Sequence, residues 1–544
     1  MVDSVDVLVL GGGLAGLTCA LQIQKASPNA RIHVVEKSAE PFPAATHKVG
    51  ESTVEIGAHY FGEVLGLRSH LDSAHLRKFG FRFFHSDGCS SLEQVREIGV
   101  SRYLHEPSFQ IDRGVFENHL VSVARAAGIA VETGTTVGQV ALSSDAAPHR
   151  VQISGANGAR EIDARWVVDA SGRTGLLKRQ LSLAEQNSHA ANSVWFRVPI
   201  RIDIESWTQD EPWLQRCQSG HRWRSTNHLV GEGYWVWLIP LSSGYHSVGI
   251  VADPAYHPFN ELSSFDKAMA WFDTHQPRLA RALREAAVQP ADFVGLRRFS
   301  YGCRQLFSEH RWALTGEAGV FLDPFYSPGS DFIAIANTYI TDLVSRDLSG
   351  RPWVPFVGFH EQMFRSFYES TLTLYQGQYH IFGDPEVLPV KVIWDYTYYW
   401  GVLCQLFFQG RLADLRTLGK LRADLLAARE LNGAVQTFLG AWSRISQRRN
   451  VPGLLDQAVL PWFVELNRGL SSKLDDAAFV ERIRECVACL RELSAEIAGR
   501  AVADYPQVSN WPEFQRLGEL SGKAPNPGGR LLDYGNLALP LAAA

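Results

Sequence analysis

No apolar run in the sequence reaches the ~18 uninterrupted residues that a membrane-spanning helix needs, and the N-terminus enters a strand without a basic stretch or a cleavage site. A soluble, cytoplasmic protein with no membrane span is therefore expected. Cysteine is sparse: seven residues, Cys19, Cys89, Cys217, Cys303, Cys404, Cys486 and Cys489, odd in number and scattered. That excludes a disulfide framework and favours a reducing compartment. Cys486 and Cys489 form a C-x-x-C, but the spacing from Phe479 to Leu493 is helical and no second Cys or His pair completes a site. Two small helix residues are preferred to zinc or a redox dithiol, and no metal is expected. Charge of one sign is also lacking, with 52 Lys and Arg against 57 Asp and Glu and a net charge of −5, which gives nucleic acid and anionic membranes no purchase. Internal repeats and low-complexity tracts are absent.

What is present begins at the first residues. At 544 residues, 46% apolar and 20% charged, the chain is long enough for several subdomains and a cofactor between their loops. Val5 to Leu10 is a β-branched and apolar run of the kind buried in a parallel sheet, and it breaks into Gly11, Gly13 and Gly16 at G-x-G-x-x-G spacing. Gly11 permits the tight turn, Gly13 admits a pyrophosphate close to the backbone, and Gly16 lets the following helix lie on the strand. The following helix, Leu17 to Ala26, presents an N-terminus whose N–H groups and dipole favour an anion. A second strand, Arg31 to Val35, ends at Glu36 and Lys37, about 20 residues beyond the last glycine, where a carboxylate accepts from ribose hydroxyls and repels a 2′-phosphate. The combination points to bound FAD or NAD.

The punctuated segment Pro41 to Thr53 is expected as a functional loop leading into a helix over Val54 to Leu67, capped by Ser52 or Thr53. Leu76 to Phe84 reads as one alternating strand with Lys78 and Arg82 on one face and Phe79, Phe81 and Phe83 on the other. A strand lysine is ordinarily solvated. Gln110 to Arg113 precedes a helix over Gly114 to Ala127, and Val131, Val137 and Val140 start a strand-rich patch. Arg165 to Arg173 repeats the strand-and-turn grammar through Asp169 and Gly172, at the edge where ligands of open α/β sheets bind. Residues from Glu185 to Leu296 read as β-rich with one helix over Phe265 to Ala286. Trp235 and Trp237, two apart on a strand that ends at Pro240, share a face, as core or as a pocket wall. Gly316 and Glu317, then Asp323 to Gly329, return to the nucleotide-binding pattern ahead of a helix over Ser330 to Leu348, and a helical cover follows from Trp353. The expected fold class is α/β, a Rossmann-like, glutathione-reductase-like FAD-binding domain with an inserted β-rich substrate domain and a helical C-terminal region. The expected parts are 1–185, 186–298, 299–350 and 351–544.

Together Gly11-x-Gly13-x-x-Gly16, Val49-Gly50-Glu51-Ser52, Lys78, Asp169-Ala-Ser-Gly172, Trp235-x-Trp237-x-Ile239-Pro240 and Asp323-Pro to Gly329 resemble the FAD-dependent halogenase and monooxygenase superfamily, most closely its flavin-dependent halogenase branch. The likeness covers about residues 5–345. It implies FAD as cofactor, delivered as FADH2 by a separate flavin reductase, with O2 and chloride or bromide as co-substrates. It also implies the family's relay: a flavin C4a-hydroperoxide is attacked by halide, and hypohalous acid passes through a tunnel walled by Trp235, Trp237 and Pro240 to Lys78. The lysine then directs electrophilic halogen onto an electron-rich aromatic ring. The cofactor-binding set that the resemblance implies is Gly11, Gly13, Leu14, Ala15, Gly16, Glu36, Lys37, Gly50, Glu51, Ser52, Arg113, Asp169, Gly172, Gly316, Glu317 and Gly329.

Three positions depart from the family pattern. The halide turn, Ser-Thr-Gly in the halogenases, is Ser327-Pro328-Gly329 here, and proline has no N–H. Ser327, Gly329 and Ser330 remain as the halide-facing residues. Tyr326 stands where tryptophan-specific members carry a glutamate, which points to a phenol or pyrrole, free or carrier-bound. Glu317 replaces the aspartate of the wider monooxygenase class. A halide-independent monooxygenase, oxidase or dehydrogenase on the same scaffold stays open, as does a non-catalytic flavin-binding module.

Overall fold

The computed structural model describes residues 3–43, 50–85, 91–156, 158–217 and 220–534. The chain divides into two units. The first comprises Met1–His75, Ile111–Ser188 and Phe299–Tyr368, and the second Leu76–Gln110, His189–Arg298 and Glu369–Ala544. Leu76–Gln110, expected inside the nucleotide-binding part, thus clusters with the β-rich and helical segments.

In the first unit the apolar strand Asp3–Leu10 lies at the middle of a seven-stranded sheet, parallel to Ile32–Val35 on one side and to Gly158–Asp169 on the other. Ala130–Glu132 extends the first side in parallel. Gly158–Asp169 changes partner along its length: its first half pairs antiparallel with His149–Gly155, and its last three residues pair in parallel with Trp312–Leu314. Opposite pairs are Leu10 with Val35, Leu10 with Asp169, and Asp169 with Leu314. Four strands therefore end at one level, and the four turns that follow, at Gly11, Glu36, Ala170 and Thr315, share one carboxyl edge. Helices Leu14–Ala26, Arg113–Ala126 and Gly329–Leu348 belong to the same unit.

The second unit is built on an eight-stranded sheet in the order Asp292–Leu296, Asn192–Val198, His246–Ala252, Tyr234–Pro240, Thr226–Gly231, Phe81–His85, Arg96–Gly99, Gly453–Asp456. One core cluster packs Phe84, Val194, Phe196, Val236 and Val248 with Trp271 and Phe272 of helix Phe265–His275. Helices Val387–Tyr398, Leu415–Ser443, Asp476–Asp504 and Pro512–Ser521 make up most of the C-terminal part.

Four local expectations are corrected. The strand expected over 76–84 is broken into Leu76–Arg77 and Phe81–His85, because Gly80 adopts φ +71 and the intervening backbone changes partners. The helix expected over 54–67 is α-helical only at Glu55–His59 and passes into π turns over Tyr60–Val64, and its N-cap is Val54, with neither Ser52 nor Thr53 capping it. The helix over 265–286 is two, since Pro277 pushes Gln276 out of helical geometry (φ −142, ψ 61) and starts a second helix, Pro277–Glu285. The C-terminal cover also contributes a strand, Gly453–Asp456, parallel to Arg96–Gly99. Val49 and Cys89 lie outside the described residues.

Candidate active site

At the carboxyl edge of the first unit Gly11 and Gly16 are obligatory. Gly11 has φ +117, and a Cβ there would stand 2.4 Å from the Ala170 carbonyl oxygen. A Cβ on Gly16 would stand 1.9 Å from the Gly11 oxygen. Gly13 caps helix Leu14–Ala26 with no side-chain bond, and the first N–H to find an intrahelical acceptor is that of Leu17, on the Gly13 carbonyl at 3.0 Å. The N–H groups of Leu14, Ala15 and Gly16 thus lead the helix with its positive dipole end. Glu36 is aimed by backbone donors, Gly12 N–H on Oε2 and Ser38 N–H on Oε1, both at 2.8 Å. Each carboxylate oxygen keeps a lone pair for a hydroxyl. Lys37 beside it is exposed.

Asp169 is fully buried and spends its carboxylate on the chain: Ser171 N–H donates to it at 3.0 Å and Leu177 N–H at 2.7 Å. Burial raises its pKa against those hydrogen bonds. Its work is to shape the turn through Gly172 (φ +61). Gly316 (φ +60) comes close to the opening helix, where an added Cβ would stand 2.8 Å from the Ala15 Cβ. Glu317 pairs with Arg173 at 3.0 Å. Gly50, at φ +93, lies against Arg113, whose guanidinium holds Glu117 at 2.6 Å. The buried Glu51 accepts from Ile111 N–H through its carbonyl at 2.6 Å, and Ser52 is buried beside it.

The turn before helix Gly329–Leu348 carries strain that the sequence did not announce. Tyr326 (φ +66) and Ser327 (φ +54) are consecutive non-glycine residues in the left-handed region. The turn is held by Ser327 N–H on the Pro324 carbonyl at 2.8 Å and by Phe325 N–H on Asp323 at 2.9 Å. Pro328 is the N-cap, so Gly329 and Ser330 are the first residues of this helix that carry an N–H, and the space over Gly329 is open. Gly57 N–H donates to Asp331 at 2.8 Å, which ties the helix that follows Ser52 to this turn.

One residue that the motif reading missed organises the cradle. Asn337 accepts from Thr315 Oγ1 at 2.7 Å and donates to the Ala15 carbonyl at 3.2 Å and to Thr18 and Tyr60 hydroxyls at 3.1 Å each. Its one visible signal is an amide on the apolar face of a long helix.

In the second unit Lys78 is 3% exposed. Its Nζ lies 3.4 Å from the centre of the Phe81 ring. The opposite faces expected for Lys78 and Phe81 are therefore wrong, because the turn at Gly80 intervenes. His228 continues the aromatic surface, 5.4 Å from Phe81, stacked on Phe83 at 4.7 Å, and 5.4 Å from Trp235. Burial, and secondarily the Lys78 charge, pushes its pKa down to about 3, so the imidazole is neutral. Trp235 and Trp237 share a face as expected, centroids 5.6 Å apart, with their N–H groups on Tyr379 Oη (3.3 Å) and Ser247 Oγ (3.1 Å). Pro240 closes their strand opposite His246.

A family model described as tryptophan halogenase matches residues 93–354, and one described as an NAD(P)-binding Rossmann-like domain matches residues 9–68. The flavin-dependent halogenase chlA of Dictyostelium discoideum is 27% identical over 390 residues, 64% of this chain and 61% of that protein. A 1H-pyrrole-2-carbonyl peptidyl-carrier-protein chlorinase of Pseudomonas fluorescens is 29% identical over 398 residues, 68% of this chain and 83% of that protein. The chain is similar to members of the FAD-dependent halogenase superfamily. The fold is likewise that of halogenase PltM, solved with phloroglucinol and FAD, at a TM-score of 0.63 and 18% identity over 93% of this chain and 99% of that one.

FAD is the superfamily's cofactor, and the cradle's chemistry suits it. The close approaches at Gly11 and Gly16 leave room only for backbone, the helix end offers N–H groups to a pyrophosphate, and Glu36 offers acceptors to a ribose. Among the described residues, no group of His, Cys, Asp or Glu could hold a metal ion, and no helix is long and apolar enough to cross a membrane.

Proposed function

We propose that the protein is an FAD-dependent halogenase acting on an electron-rich phenol- or pyrrole-type ring, free or tethered to a carrier protein. FAD, when bound and reduced, supplies the electrons with which dioxygen becomes the oxidant. On this reading Gly11, Gly13, Leu14, Ala15 and Gly16 hold its pyrophosphate, Glu36 and Lys37 its ribose end, and Gly50, Glu51, Ser52, Arg113, Asp169, Gly172, Gly316 and Glu317 the surrounding backbone. The observation that carries the catalytic part is Lys78, a cation withdrawn from water over the face of Phe81, whose aromatic surface continues through His228 to Trp235. A buried ammonium is costly unless its surroundings stabilise it, an aromatic face contributes to that, and an ammonium is the kind of group that donates to an oxidant. Trp235, Trp237, Pro240 and Tyr326 are assigned to the substrate and tunnel walls. A separate flavin reductase delivers the reduced cofactor. Six free cysteines among the described residues support a reducing, cytoplasmic setting.

A second reading, halide-independent oxidation or desaturation of the same substrates, is favoured by Pro328, which removes one N–H donor from the halide turn. Ser327, Gly329 and Ser330 are the residues left to hold the anion. Crystals of the FAD complex soaked in bromide distinguish the two: an anomalous peak at the Gly329 and Ser330 amides supports the halogenase, and its absence at saturating bromide favours the second reading. Turnover of a phenol and pyrrole panel tests the substrate class.

A further inference from the structure

The loop that carries Lys78 is stitched to the segment Arg222–Thr226. Phe79 N–H donates to the Arg224 carbonyl at 3.1 Å, Thr226 N–H to the Gly80 carbonyl at 3.1 Å, and Ser225 Oγ to the Phe79 carbonyl at 3.0 Å. Around this seam stand three guanidiniums laid on aromatic faces. Arg201 and Arg224 lie 4.9 and 5.2 Å from the Trp223 ring centre, and Arg77 lies 4.7 Å from that of Tyr103. Tyr103 in turn meets the His221 ring edge-on at 5.7 Å, and the His221 carbonyl accepts from Arg224 N–H at 2.9 Å, which makes the group continuous.

Among the described residues, none of these arginines is paired with a carboxylate. Glu97 pairs with Arg82 and Arg222, Glu205 pairs with Arg222, and Asp203 accepts from the Glu205 N–H. Arg77 donates to the Leu104 carbonyl at 3.1 Å, and among the described residues Arg224 Nε and His221 Nδ1 are shielded from solvent with no hydrogen-bond partner. Stacked guanidiniums are held in place by the ring and keep their in-plane N–H donors for an oxyanion. Such forks pair bidentately with the oxygens of a phosphate.

We propose that Arg77, Arg201 and Arg224, with Trp223, form a phosphate-binding site on the Lys78 loop that grips the substrate by a phosphate ester remote from its reacting ring. This rests on the functional reading above for the role of Lys78, but the anion site is measurable without turnover. Its two natural sources are the phosphodiester by which a pantetheine arm is joined to a carrier protein and a phosphate monoester on a free aromatic substrate.

The test uses the full-length, FAD-loaded protein and its R201Q/R224Q variant, with retained FAD stoichiometry and melting temperature as the check on folding. Calorimetric titration with 4′-phosphopantetheine is expected to show saturable binding that weakens about ten- to a hundredfold in the variant, the range for losing charge-assisted hydrogen bonds. In turnover, kcat/KM for a carrier-tethered ring falls by a similar factor while that for an uncharged free phenol is unchanged. A loss confined to a phosphorylated free aromatic identifies the second source and supports the site equally. Equal binding to wild type and variant overturns it. So does inorganic phosphate binding as tightly as 4′-phosphopantetheine with turnover of every phosphate-bearing substrate unaffected, which marks adventitious anion binding only. If no halogenated product forms with any substrate while the titration difference persists, the functional reading fails and the anion site stands.

Discussion

The Lys78 ammonium lies 3.4 Å above the centre of the Phe81 ring. Regular strand alternation would place these residues on opposite faces, and the left-handed turn at Gly80 brings them together. This pair joins a cation to the aromatic surface of Phe83, His228 and Trp235 and defines the chemistry proposed for the second unit.

Lys78→Met keeps the length of the side chain and removes its charge and donors. Product formation is expected to fall by about 10²–10⁴, the usual span for loss of a positioned proton-handling group, while FAD content and oxygen-dependent flavin reoxidation stay at wild-type levels. Stopped-flow flavin absorbance beside product chromatography reads both. A normal product yield removes Lys78 from the mechanism.

The glycines separate by what surrounds them. Gly16→Ala forces a Cβ onto the Gly11 carbonyl at 1.9 Å and Gly11→Ala adds an unfavourable positive φ, so both are expected to yield protein with little bound FAD. Gly329→Ala meets nothing within 4 Å and begins a helix, so it is expected to change stability by less than about 1 kcal/mol. Flavin-to-protein absorbance ratios and melting temperatures on the three variants check the contrast, and FAD-replete Gly16→Ala would show that the close packing is dispensable.

Acid should destabilise the fold from just below neutrality. Burial holds His75, His228 and His246 down to about 3 in the folded protein, against about 6.5 when unfolded. Their contribution is whole above pH 6.5 and is lost as pH falls from there towards 3, because only the unfolded chain takes up the protons. Each costs about 1.4 kcal/mol per pH unit in that window. Denaturant titrations at pH 7, 6 and 5 are expected to show this slope, reduced by one proton in His228→Phe. An unchanged slope in that variant would place a charged imidazole at 228.

The nucleotide cradle was legible because its chemistry is local. Gly11 to Gly16, Glu36, Asp169 and Gly316 lie in short strand-turn units, and sheet register alone brings their turns to one edge. Lys78 was legible as a position but not as an environment, since one positive φ at Gly80 reverses which side chains it meets. Asn337 and the Tyr326–Ser327 strain were hidden for the opposite reason. Their meaning comes from partners hundreds of residues away, such as Thr18 and Ala15, or from backbone angles that ordinary side chains rarely adopt. The strand Gly453–Asp456 is too short to carry a pattern, and only its partner Arg96–Gly99 makes it a strand.

The central claim is that halide, not oxygen, is transferred to the aromatic ring despite Pro328. The direct measurement is the mass spectrum of product made by FAD-loaded protein, a flavin reductase and an electron-rich phenol or pyrrole, with bromide and with halide rigorously removed. The account predicts a monobrominated product with its paired bromine isotope peaks, formed only when bromide is present and absent with Lys78→Met. Hydroxylated or desaturated product in equal yield with and without bromide would contradict it.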